Sequence, residues 1–296
     1  MTTKNILLAS IIGLSLISCI QEPKKGITPE KVEVSKNEKP SFNLVWETEA
    51  IFKTPESCFY DKKHQVIYVS NVNDAPRTKD NNGYISVLAL DGHVINEEWA
   101  TDLSAPKGMD FYNEVLYVTD IDAVVEINAH TGMIIKRHTL EGALMLNDIS
   151  IDKKTGVLYV TDMDTGKIHT LIDGKFTTWK EGLVKPNGLL VDGNSLLLAS
   201  NGEESLISYD LVTKVQKELI ATGIGKADGV VKLNSGNYVV SDWRGEIFKT
   251  KDNKATSVFN TIEDKKAQTA DIGIIPNDNI IPVSYTHLTL PTTSRV

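Results

Sequence analysis

The stretch LNDISIDKKTGVLYVTD, residues 146–162, reads as two short apolar strands around an Asp-Lys-Lys-Thr-Gly turn, the second closing on Thr161-Asp162. Its alternation and its β-branched and aromatic content are those of a half-buried hairpin. The pattern recurs as PESCFYDKKHQVIYVSN from Pro55, PKGMDFYNEVLYVTD from Pro106 and PNGLLVDGNSLLLASN from Pro186. It recurs again as ADGVVKLNSGNYVVSD from Ala227 and ADIGIIPNDNIIPV from Ala270. In all but the last, the second strand ends in Ser or Thr followed by Asn or Asp.

The residues that open the first strands align as Glu56, Lys107, Asn147, Asn187, Asp228 and Asp271, at steps of 51, 40, 40, 41 and 43. A period of this length built from short strands predicts an all-β, six-bladed β-propeller with four-stranded blades. A β-sandwich has no reason to repeat one motif six times at one interval. Blade 3 shows the expected set, with strands at 149–152, 157–162, 167–172 and 176–180. The long first step is an insertion at 72–83 in blade 1, placed to cover one end of the channel. The sixth blade is expected to be incomplete, with residues 42–47 supplying its fourth strand and closing the ring.

The ends do not carry this pattern. Lys4, an apolar run at 6–16 and Leu16-Ile17-Ser18-Cys19 resemble a bacterial lipoprotein signal, with Cys19 as the lipidated residue. The run is too short to serve as a stop-transfer helix. The expected organisation is a signal at 1–18, a tether rich in Lys, Glu and Pro at 19–40, the propeller at 41–283, and a tail at 284–296. That tail resembles a translated cloning adapter. With Cys19 lipidated, Cys58 has no disulfide partner and falls in the apolar frame of a strand, which predicts a buried, inert thiol. The cell envelope is the expected location, through the lipid.

A net charge of -8, with no basic face standing out, argues against nucleic acid. In a propeller the six aligned positions converge at one end of the channel. They comprise two Asp, one Glu, two Asn and one Lys. Converging carboxylates need a metal, a lysine or protons to neutralise them, and oxygens of this kind are what a hard divalent cation requires. The residues alone leave open that they merely cap strand starts.

The arrangement resembles the regucalcin/gluconolactonase family of six-bladed propellers. Glu56 in Pro-Glu-Ser, Asn187 in Lys-Pro-Asn-Gly and Asp228 in Lys-Ala-Asp-Gly match that family's metal ligands, and Asn147-Asp148 matches a substrate-contacting pair. The resemblance implies one divalent cation, calcium foremost with zinc, manganese or magnesium as alternatives. It also implies hydrolysis of a lactone or related ester, a small-molecule substrate, with Asp228 as catalytic base and Asn147 and Lys107 as substrate-binding residues. There are departures: Met145 stands where the family often has Arg, and Lys107 where a neutral residue is common. Lys107 is expected to lean away from the centre, towards Asp271.

The six histidines show no His-x-x-x-His or His-x-His spacing and read as scattered rather than as zinc ligands. No Gly-x-Ser-x-Gly elbow or phosphate-binding glycine loop occurs. Asn71, Asp120, Asp162, Asn201 and Asp242 recur after second strands, which suggests a structural turn role. The competing function is a non-catalytic propeller whose ring holds a structural ion or polar plug. A relative of strictosidine synthase fits the ring less well. Cys19→Ala is expected to leave the chain out of the lipid-modified membrane fraction, read by metabolic lipid labelling and fractionation. Unchanged membrane retention with the signal cleaved contradicts the lipoprotein reading.

Overall fold

In the computed structural model, residues 7–9, 42–265, 267–276 and 280–287 are described. Cys19, nearly all of the signal, the tether and residues 288–296 lie outside them. Five antiparallel four-stranded blades are complete, each ordered from the channel outwards as the chain runs. Their inner strands are Pro55–Asp61, Pro106–Tyr112, Leu146–Ile151, Pro186–Asp192 and Ala227–Lys232. Their second strands are Val66–Asn71, Val115–Asp120, Leu158–Asp162, Ser195–Ser200 and Tyr238–Asp242. The remaining sector holds a two-stranded sheet, Ala267–Ile272 with Val283–His287. Its inner strand packs against those of blades 5 and 1, which closes the ring. Among the described residues there are thus five complete blades and a partial sheet in the sixth sector.

The core lies between blades rather than within them. Tyr68, Ile85 and Leu103 of blade 1 pack on Met109, Leu116 and Val118 of blade 2. Tyr159 and Trp179 of blade 3 pack on Leu196 and Tyr209 of blade 4. Each fully buried Leu, Ile or Tyr of these layers contributes roughly 1.5–3 kcal/mol. Cys58 is buried and unbridged, and burial pushes its thiol up. Among the described residues no helix is long and apolar enough to cross a membrane.

Two expectations about the sixth sector need correction. Within 42–47 only Asn43–Val45 is a strand, and it pairs in parallel with Leu7–Ala9, not with the sixth sheet. The Phe42 amide donates to the Val258 carbonyl of blade 5 at 3.1 Å. Its ring sits among Val231, Val258 and Ile272. Closure here comes from apolar packing, which needs no ladder register. The second strand also runs past Val283 to His287, and Ser284 is buried. An apolar cavity of about 410 Å3 separates this sheet and blade 1 from the segment carrying Leu44, Trp46 and Phe52.

Every inner strand breaks register with its neighbour near the channel mouth: at Pro55/Ser57, Pro106/Met109, Leu146/Ile149, Pro186/Leu189, Ala227/Val230 and Thr269/Ile272. Such a bulge frees an inner-strand amide and re-aims a side chain. In blades 1, 3 and 5 the Ser or Thr near the end of the second strand takes up that amide. Ser70 accepts from Ser57 at 2.9 Å, Thr161 from Asp148 at 2.9 Å and Ser241 from Gly229 at 2.8 Å. The next residue braces the segment entering the inner strand. Asp162 accepts from the Leu144 and Met145 amides at 3.2 and 3.0 Å, and Asp120 accepts from Ser104 and Ala105. Asp242 accepts from Lys226 and Arg244. Asp162→Ala strands two amides and is expected to cost about 1–3 kcal/mol in denaturant unfolding, more than Asp173→Ala at an exposed turn. Equal midpoints for the two variants contradict the bracing role.

Candidate functional site

The bulges bring four of the six aligned residues to one place. Glu56, Asn147, Asn187 and Asp228, from blades 1, 3, 4 and 5, line a cavity of about 290 Å3 at the channel mouth. All four are buried. The Asn187 amide donates to the Asp228 carboxylate. Asn187 Oδ1 and Glu56 Oε2 are buried without a hydrogen-bond partner among the described residues. Each such acceptor costs about 1–3 kcal/mol while it stays unsatisfied.

Neighbouring blades come close enough here to forbid a side chain. A Cβ on Gly188 would run into the Asp228 carbonyl oxygen, and one on Gly229 into the Asp271 carboxylate. The glycine after Asn187 and after Asp228 is thus a packing requirement as well as a turn signal.

The electrostatics are those of crowded, dry carboxyls. Burial pushes Glu56 up to about 7, with Lys107 opposing and Asp271 adding to the shift. Burial raises Asp228 well above the carboxylate range, and Glu56, Asp271 and Asp148 raise it further against the Asn187 hydrogen bond. Asp148 is raised first by burial and then by Asp271, although the Leu189 and Ile149 amides bond it at 2.5 and 2.7 Å. Burial takes Asp271 to about 6, opposed by the Ser57 hydroxyl and the Ile272 amide. Buried carboxyls whose pKa values rise together, with orphaned acceptors on Glu56 and Asn187 beside them, suit a hard divalent cation.

Lys107 and Asp271 do not line the cavity. Lys107 does lean away from the centre, but not towards Asp271. Its ammonium donates to the Ala105 carbonyl at 2.8 Å and the Pro76 carbonyl at 3.1 Å, and the residue is fully buried. Burial lowers its pKa, while Glu56 and Asp120 act the other way. One backbone carbonyl of the blade 1 insertion, Pro76, and one just before the inner strand of blade 2, Ala105, capture this side chain. Asp271 accepts from the Ser57 hydroxyl at 2.5 Å and so braces the strand that carries Glu56.

The residues that the sequence reading missed form the rim. Arg77, Lys185 and Lys226 line the cavity. Arg77 and Lys185 reach Asp164 at 3.0 and 3.4 Å. With Lys79 on Asp122 at 2.5 Å, the Arg77 pair ties the insertion at 72–83 across blades 2 and 3. Met145, Met163 and Trp243 also line the cavity, and the Asn147 amide points at the Met163 sulfur at 3.6 Å. Lys185 and Lys226 each directly precede a repeated motif, Pro-Asn-Gly and Ala-Asp-Gly, and that position was the available signal.

No protein-family model matches the sequence, and no curated protein does. Solved structures share the fold. A propeller in a nidogen/laminin complex aligns with a TM-score of 0.61 at 20% identity, covering 75% of this chain and 84% of its own. A candidate gluconolactonase aligns at 0.59 and 16% identity, covering 76% and 83%. Regucalcin from Agrobacterium tumefaciens strain C58, a calcium-binding protein, aligns at 0.57 and 19%, covering 77% and 80%. At these identities the likeness establishes a β-propeller.

With chelator present, the folded state holds protons on Glu56 between its ordinary 4.5 and about 7 that the unfolded chain has released. The same holds for Asp271 between 3.8 and about 6. This contribution is complete below the unfolded values and is lost as pH rises through the folded ones. Stability in chelator is therefore expected to fall from about pH 5 to pH 7.5 on account of these groups. Glu56→Gln should flatten the fall and stabilise the metal-free protein by up to roughly 3 kcal/mol at pH 7.5, read by denaturant unfolding. A Gln variant no more stable than wild type there contradicts the electrostatic account.

Proposed function

We propose that this protein is a divalent-cation-dependent hydrolase of lactones or related esters, of the regucalcin/gluconolactonase kind. The observation that carries the reading is the pair of orphaned buried acceptors, Glu56 Oε2 and Asn187 Oδ1, lining one cavity with Asp228. Glu56, Asn187 and Asp228 are the residues that would hold the cation, calcium by preference for an all-oxygen set. Such an ion, when bound, supplies Lewis-acid polarisation of an ester carbonyl.

The chain's own groups do the rest. Asp228 accepts a proton from the attacking water as the water oxygen bonds to the carbonyl carbon. The ring C–O bond breaks, and the leaving alkoxide takes a proton back to become the hydroxyl of the product acid. Asn147, on the same cavity, orients the substrate. Lys107 lies off the cavity with its ammonium donating to two backbone carbonyls, and it does not enter this reading as a substrate contact. Arg77, Lys185 and Lys226 favour a substrate with an anionic group, and Met145, Met163 and Trp243 favour an apolar portion over a bare sugar. The lipid anchor at Cys19 belongs to the same proposal and sets this activity at the cell envelope.

A panel of acidic and neutral lactones assayed with calcium, manganese and zinc tests this. Turnover should need the metal, favour acidic lactones, and drop at least about a hundredfold in Asp228→Asn while the fold persists by circular dichroism. Full activity in Asp228→Asn, or calcium binding with no turnover across the panel, overturns the enzymatic reading.

A further inference from the structure

The face opposite the channel mouth carries its own cluster of ligands. The turns joining first to second strands, and third to fourth, all lie at that end. His64 sits in the first such turn of blade 1, Glu114 in the first of blade 2, and His130 in the turn between Ala123–Asn128 and Ile134–Thr139 of blade 2. One ligand atom from each lies within 4.8 Å of the others. Glu114 Oε2 stands 3.0 Å from His130 Nε2 and 3.8 Å from His64 Nε2. These values bracket the separation of about 3.3 Å between tetrahedral ligands at zinc-like bond lengths.

Two further features point to a bound ion rather than to chance proximity. His64 Nε2 is buried and has no hydrogen-bond partner among the described residues. The other ring nitrogen, Nδ1, lies 2.6 Å from Asp61 Oδ2. A carboxylate there fixes the proton on Nδ1 and leaves the Nε2 lone pair facing Glu114 and His130, the second-layer arrangement typical of metal-bound imidazoles. Asp61 is itself held, accepting from the Lys63 and His64 amides at 2.8 and 3.1 Å and from the Tyr68 hydroxyl. The His64 ring is locked edge-on to Phe111 and His130, with centroids at 6.0 and 4.8 Å. Lys63 occupies only the other oxygen of Glu114.

We propose that His64, Glu114 and His130 form a second metal site, selective for a borderline transition ion such as zinc, that staples blade 1 to blade 2. Two imidazoles and one carboxylate exclude the hard cations expected at the mouth. His130 and Glu114 are partly exposed, which leaves a fourth position open to water.

The test is zinc titration of the full chain in excess calcium, against a chromophoric chelator. Wild type should bind one zinc at micromolar affinity or tighter, and zinc should raise its melting temperature. His130→Ala and Glu114→Gln should each weaken binding at least tenfold, whereas Asp228→Asn should leave it unchanged. Cobalt should give tetrahedral visible bands that are lost in His130→Ala. Zinc binding only at millimolar concentration, equal affinity in a His64→Ala/His130→Ala double variant, or loss in Asp228→Asn overturns the proposal. Because the Asp228 and His130 variants report on opposite faces, failure here does not touch the lactonase reading.

Discussion

The bulge near the mouth end of each inner strand is the constraint from which the rest follows. It takes one amide out of the ladder, and a buried amide without an acceptor costs about 1–3 kcal/mol. In blades 1, 3 and 5 the Ser or Thr of the second strand supplies that acceptor, as Thr161 does for Asp148 and Ser241 for Gly229. The following Asp secures the incoming segment, as Asp162 does for Leu144 and Met145. A repeated Thr-Asp or Ser-Asp is thus a structural device. Its consequence is functional, because it lets the residue at the bulge serve the cavity instead of the blade.

Burial then sets the chemistry. Four carboxyls, of Glu56, Asp148, Asp228 and Asp271, are dehydrated together, and each is raised by burial before its neighbours raise it further or its donors hold it down. Asp148 and Asp271 are bonded by backbone amides or a serine and act as cross-blade struts. Glu56 and Asp228 face the cavity. The one buried ammonium nearby, on Lys107, is tied to carbonyls. Leaving carboxyls in this state costs stability, as is common where function rather than folding selects the residue.

The legibility of this arrangement in the sequence follows its periodicity. Glu56, Asn147, Asn187 and Asp228 were found because they occupy one place in a repeating unit, and Cys58 because it sits in an apolar frame. What was missed depends on contacts between units. Lys107 follows the Ala105 carbonyl and one carbonyl, of Pro76, from an insertion found in blade 1 alone. Residues 42–47 pack into the sixth sector through side chains such as Phe42 and Trp46, without forming the expected ladder. His64 and His130 are separated by a whole blade in sequence and meet only because equivalent turns of successive blades are neighbours. A search for close histidine spacing cannot detect ligands recruited in that way.

The thin sixth sector is compatible with the site because the cavity draws on inner strands alone. Glu56 depends on that sector through two struts. Ser57, beside it, donates to Asp271 at 2.5 Å, and the Ser284 hydroxyl, a single donor, stands 2.8 Å from each of the backbone carbonyls of Glu56 and Asp271. Both struts come from the first two strands of the sixth sheet, nearest the channel. The outer strands of the complete blades add apolar contacts at larger radius, such as those of Trp99 and Trp179, and none of the four ring side chains lies on them. The inner pair of strands described in this sector is therefore enough to hold the hydrogen bonds that orient Glu56.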